Sequence, residues 1–205
     1  MNYHVNIITE MPLYVKELFY NHGNPHLVYH NLEHTQAVVR HVSEIADHYQ
    51  LNDQERFVLQ TAAWFHDTGY LLGEAERHEE TSVVVMRLFL DKYNVEAHLQ
   101  YEAGKCIMAT KMPVKPVSLI EQILCDADTY HLGTTDFEHL DALVWQERKL
   151  YTNTQIDNPI KQSLHFLLSH LYFTDYCRNL LTEGKEKNIA LLKKKMEKND
   201  KGENC

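Results

Sequence analysis

The stretch AAWFHDTGY, residues 62–70, decides how the chain is read. Its His66 falls on the same helical face as Val58 and Ala62, so the imidazole points into the apolar side of a helix that Gly69 then ends. Asp67 follows at that helix's C-terminal end, beside Trp64 and Phe65. Aligned peptide dipoles leave partial negative charge there, so an ionised carboxylate needs a cation or strong donors nearby. An isolated His-Asp pair meets that need most simply with an arginine or a loop cap. The rest of the chain must therefore show whether further ligand-type side chains point the same way.

Upstream, VYHNLEHTQAVVRHV (28–42) opens a second helix with Asn31 as its N-cap and His34 in the first turn. His34 heads the stripe of Val38, Val42 and Ile45, which is the core-facing side. Downstream, ILCDADTYHLG (123–133) places Asp128 on the stripe of Ile120 and Leu124, while Asp126 is rotated away by about 200°. Asp128 is thus expected to be the inward carboxylate. Scattered, two imidazoles and two carboxylates on apolar faces are costly burials; gathered, they form a nitrogen and oxygen site for a divalent cation.

Apolar residues recur at three- and four-residue spacing almost throughout, and alternation of period two is scarce. The fold expected is all-α, a single compact multi-helix bundle over 1–205, with a charged tail fraying from about residue 199. Helices are expected over Pro12 to Asn21, Leu32 to Tyr49, Asp53 to His66, Glu76 to Tyr93, Val95 to Ala109, Pro116 to His131, Thr135 to Leu150, Pro159 to Leu181 and Lys185 to Lys198. Gly184 reads as the break before the last of these. QSLHFLLSHLYF (162–173) reads as a helix walling the core, with His165 and His170 packed inside it.

The formal charge of −9 argues against a nucleic-acid polymer or an anionic membrane as partner and favours a small molecule. The opening residues lack a secretory pattern, and no apolar run approaches the roughly 20 residues of a membrane span, so a cytoplasmic location is expected. Cys106, Cys125, Cys177 and Cys205 are widely spaced with no CxxC pair and read as reduced thiols. A homo-oligomer is compatible with all of this. Fourteen histidines in 205 residues are a raised supply of the side chain that most often binds metals.

The order His34, then His66-Asp67, then Asp128, with HDTG closing a helix, resembles the HD-domain metal-dependent phosphohydrolases, and the likeness covers most of the chain. YHNLEHT (29–35) is similar to the metal-site segment of cyclic-nucleotide phosphodiesterases, although the HDxxH pattern of those enzymes is not completed here. ATK (109–111) and DADTYHLG (126–133) resemble bacterial HD-superfamily phosphohydrolases. The resemblance implies that His34, His66, Asp67 and Asp128 hold a divalent ion, one of Mn, Fe, Mg, Co, Ni or Zn. It implies that Asp67 also orients an attacking water and that His30 protonates the leaving oxygen. The substrate implied is a small phosphoester, a nucleotide or cyclic nucleotide. His78, in ERHEETSVVVM (76–86), is a candidate for a second ion or for phosphate contact; Glu79 and Glu80 beside it read as a favourable acidic first turn. Lys111 is a candidate point charge for substrate phosphate. Two rival expectations are a di-iron oxygenase on the same scaffold and a nucleotide-binding regulatory module without turnover.

Overall fold

A computed structural model describes residues 3–152 and 157–200. Among them there are nine α-helices and no strand, as the periodicity predicts: α1 (Tyr3–His22), α2 (Leu32–His48), α3 (Asp53–Phe65), α4 (His78–Asp91), α5 (Ala97–Ala109), α6 (Leu119–Asp128), α7 (Phe137–Thr152), α8 (Pro159–Ser169) and α9 (Asp175–Asp200). Single 3₁₀ turns follow α3 (Thr68–Leu71), precede α4 (Ala75–Arg77) and follow α6 (Tyr130–Gly133). The chain divides into two compact units, 1–128 and 129–205.

The first unit is built around α3, which packs against α1, α2, α4, α5 and α6. Its core includes Ile45, Leu59, Phe65, Met86, Phe89, Ile107 and Leu124, each at most 1% exposed. Helix starts follow local chemistry. The Asn31 side chain accepts from the His34 amide at 3.0 Å. At α3, Asn52 and Glu55 form a reciprocal capping box.

The expected start of the first helix at Pro12 is corrected, because α1 runs on both sides of that proline. Ile7, Met11 and Val15 form one stripe at most 1% exposed. Its burial offsets the roughly 3 kcal/mol that an interior proline costs. No helix among the described residues is long and apolar enough to cross a membrane.

In the second unit α8 packs on α9, and α9 on the 3₁₀ turn Tyr130–Gly133. The expected helix from Pro159 to Leu181 is two helices: His170 leaves α8 in an extended conformation, and α9 begins at Asp175. Gly184 does not break α9. A Cβ there would stand 1.8 Å from the Gly133 carbonyl oxygen, so this glycine serves close backbone approach. The helix α8 buries only a narrow stripe through Ser163 and Leu167, and His165 is exposed rather than packed inside. His170 is half-buried and bonded, its Nε2 lying 3.0 Å from Thr129 Oγ1. Residues 199 and 200 are helical, whereas the rest of the tail expected to fray, 201–205 with Cys205, lies outside the described residues. Cys106, Cys125 and Cys177 are buried, and burial pushes the Cys106 thiol up to about 12.

Candidate metal centre

Three helix ends in the first unit meet at one point. The first turn of α2 brings His34, the end of α3 brings His66 and Asp67, and the last residue of α6 brings Asp128. One ligand-type atom from each lies within 4.8 Å of all the others. His34 Nε2 is 3.1 Å from Asp128 Oδ1, 3.3 Å from Asp67 Oδ2 and 3.4 Å from His66 Nε2. His66 Nε2 is 3.1 Å from Asp67 Oδ2 and 3.6 Å from Asp128 Oδ1. Donors about 2.1 Å from a shared ion stand about 3.0 to 3.4 Å apart, so this spacing suits a common cation.

The chemistry of the donors fits a cation as well. His66 Nδ1 lies 2.8 Å from the Ala63 carbonyl, which can only accept, so Nδ1 carries the proton and the neutral ring turns a lone pair inward from Nε2. That lone pair faces carboxylate oxygens and a second imidazole. Asp67 Oδ2 is buried with no hydrogen bond. Its short distances to the two imidazoles lack hydrogen-bond geometry, so proximity there is not satisfaction. Without a metal, protons must balance the group. Burial lowers the pKa of His34, but the Asp128 hydrogen bond and the charges of Asp67 and Asp128 outweigh it and hold the imidazole at about 9. His66 is raised well above its usual range despite burial, mainly by the charge of Asp67. Burial works to raise Asp67 and Asp128, yet the imidazoles hold both below the usual carboxylate range. A divalent ion held by His34, His66, Asp67 and Asp128 would replace those protons with one stronger charge.

The surroundings fix the turn that carries His66 and Asp67. Ser82 Oγ donates to the His66 carbonyl at 2.6 Å and accepts from the Gly69 amide at 2.8 Å, tying the turn to α4. Thr68 Oγ1 donates to the Phe65 carbonyl. A Cβ on Gly69 would stand 1.9 Å from the His78 carbonyl oxygen, so only glycine lets the turn pass this close to α4.

Three further candidates stand nearby. The His30 ring stacks on Tyr70 at 4.3 Å between centroids and lies 5.8 Å from the His34 ring. His78 donates from Nδ1 to the Ala75 carbonyl at 2.7 Å, and its Nε2 is 3.7 Å from Asp67 Oδ1 and 3.4 Å from Glu79 Oε1. Lys111 Nζ is 2.6 Å from Glu80 Oε1 and 3.9 Å from Glu79 Oε2, so glutamates occupy the ammonium expected to meet substrate.

Sequence reasoning missed Ser82, Tyr70 and Glu79. Glu79 is buried rather than part of a solvated first turn. Its spacing to Ser82 and Met86, both wholly buried, is the signal that could have shown this. Asp126, expected to turn away from the interior, is fully buried but stands outside the four-residue group.

Residues 15–105, which hold the first three members of the group, match the HD-CE family. A predicted HD superfamily hydrolase from an uncultured Thermotogales bacterium has a similar structure, with a TM-score of 0.59 and 17% identity over 93% of this chain and 91% of that one. The Lin1889 protein of Listeria innocua is also similar, with a TM-score of 0.63 and 16% identity over 96% of this chain and 98% of that one. No curated protein matches the sequence. The family match covers residues 15–105, the two solved structures share the fold, and His34, His66, Asp67 and Asp128 converge within it; together these support an HD-domain reading of the chain.

Proposed function

We propose that this protein is a metal-dependent phosphohydrolase that cleaves a small phosphoester, with nucleotides or cyclic nucleotides as the substrate class, in the cytoplasm. The observation that carries the reading is the inward-facing set of metal-ligand-type atoms, two imidazole nitrogens and two carboxylates, with Asp67 Oδ2 buried and unbonded. A divalent ion supplies Lewis-acid chemistry at such a site, acidifying water and drawing charge from a phosphoryl group. His34, His66, Asp67 and Asp128 are the residues to hold it.

Asp67 is the residue to orient the attacking water, since its carboxylate faces both His66 and His78. His30 is the general acid, standing in the bend just before α2, four residues ahead of His34, with its ring steadied against Tyr70. The hydrolase name of the Thermotogales relative supports the reaction class.

The test is metal analysis of the purified chain, followed by phosphate-release assays over nucleoside monophosphates and cyclic nucleotides with Mn, Fe, Mg, Co, Ni and Zn in turn. Release that needs one of these ions and disappears with His34→Ala is the expected result. A metal-loaded protein that releases no phosphate from any of them would sink the reading.

A further inference from the structure

The surroundings of the four-donor group carry more negative charge than they balance. Glu79 is 5% exposed, and its Oε2 is buried without a hydrogen bond. Its Oε1 lies 3.4 Å from His78 Nε2, which in turn lies 3.7 Å from Asp67 Oδ1. A carboxylate held this way costs stability, and packing gives no return for it. Among the described residues, Lys111 is the lysine in reach, 3.9 Å from Oε2 but 2.6 Å from Glu80.

A divalent ion would balance Asp67 and Asp128, and Lys111 balances one glutamate. With the His78 imidazole neutral, one carboxylate charge is left over beside the site, where little water screens it. The imbalance extends outward: residues 1–128 contain 18 acidic and 9 basic side chains, residues 129–205 contain 11 of each, and so the whole excess lies on the unit with the donor group.

Sites for substrates with several phosphoryl groups meet the added charge with lysine, arginine or more metal. The lysine near this site is already engaged. We propose that Glu79 selects substrate by charge, so that the site takes esters with a single phosphoryl group, monoester or diester, and rejects those with a second. The proposal rests on the phosphoester reading above.

The probes are orthophosphate, adenosine 5′-monophosphate and adenosine 3′,5′-bisphosphate, titrated by calorimetry into the Mn²⁺-loaded full chain with bound metal counted. The wild type is expected to bind the monophosphate about ten-fold more tightly than the bisphosphate. Glu79→Gln should narrow that gap to about three-fold, mainly by tightening the bisphosphate, and change orthophosphate binding less than about three-fold. Should Glu79→Gln fail to fold, Glu80→Gln, at a more exposed position, frees Lys111 to balance Glu79 and should narrow the gap too.

A wild type that prefers the bisphosphate overturns the proposal, as does a gap that neither variant moves. Loss of a bound metal equivalent in Glu79→Gln also overturns it, because Glu79 would then be a ligand. If neither orthophosphate nor the mononucleotide binds the loaded wild type, the phosphoester reading itself falls; binding without the charge ranking removes only the role of Glu79.

Discussion

His66 and His78 are set in the same way. Each gives its Nδ1 proton to the carbonyl three residues earlier and turns Nε2 toward an oxygen of Asp67. Asp67 is therefore the residue on which most of the site depends. Asp67→Ala should abolish retained metal and phosphate release while far-UV circular dichroism stays near wild type, because the change removes a ligand and leaves the core intact. Retained metal would remove Asp67 from the ligand set. His30→Ala should lower turnover about 10²-fold or more with bound metal unchanged, and a matched loss of both would make His30 structural.

The DAD triplet tests the limits of helical-wheel reasoning. Asp128 stands in the donor group as its stripe predicts, but Asp126, on the other side of α6, is fully buried too. The helix packs against α2, α3 and α5, so two faces are covered and rotation away from one core face does not lead to solvent. Asp128→Ala should release metal. Asp126→Ala should keep it but cost about 1–3 kcal/mol in urea unfolding; the reverse ranking would make Asp126 the ligand of the triplet.

At the scale of elements, the turn after α3 matters most. Gly69→Ala puts a methyl group into the His78 carbonyl, and the two backbones must separate. A loss of about 1–3 kcal/mol is expected, with weaker metal retention, because Asp67 moves with the turn. Thermal unfolding with and without metal checks both parts, and an unchanged midpoint would show that α4 yields freely.

Apolar spacing made most helices legible, including α2 with its Asn31 cap and α3 with its inward His66. The element-level errors have a shared cause. Proline and glycine are read locally as punctuation, yet Pro12 lies within a helix held by its buried stripe, and Gly184 lies where α9 meets the Gly133 carbonyl. The break between α8 and α9 hides in an apolar run. Lys185 donates to the His170 carbonyl there, a partner fifteen residues away that local patterning does not reveal.

For the whole molecule, acid stability should carry the mark of His170. Burial, reinforced by the charge of Lys185, pushes its imidazole down to about 4 from an ordinary value of 6.5. The unfolded chain therefore takes up a proton between those values while the folded chain does not. Stability from this group is complete above about pH 6.5 and is lost as pH falls toward 4, on the order of 2 kcal/mol. Urea unfolding across that range should show a shallower acid slope in His170→Gln than in wild type; identical slopes would assign the acid sensitivity to other groups. Saturating metal should raise the unfolding midpoint in proportion to the logarithm of free ion.

The two oxygens of Asp67 face different neighbours, one toward His34 and His66, the other toward His78. An asparagine in that place has unlike ends, a donor and an acceptor, and would have to commit to one orientation. Whichever imidazole received the amide NH₂ would be the one whose lone pair is available, so a near-isosteric replacement would turn a symmetrical carboxylate into a reporter of proton placement on either side of it.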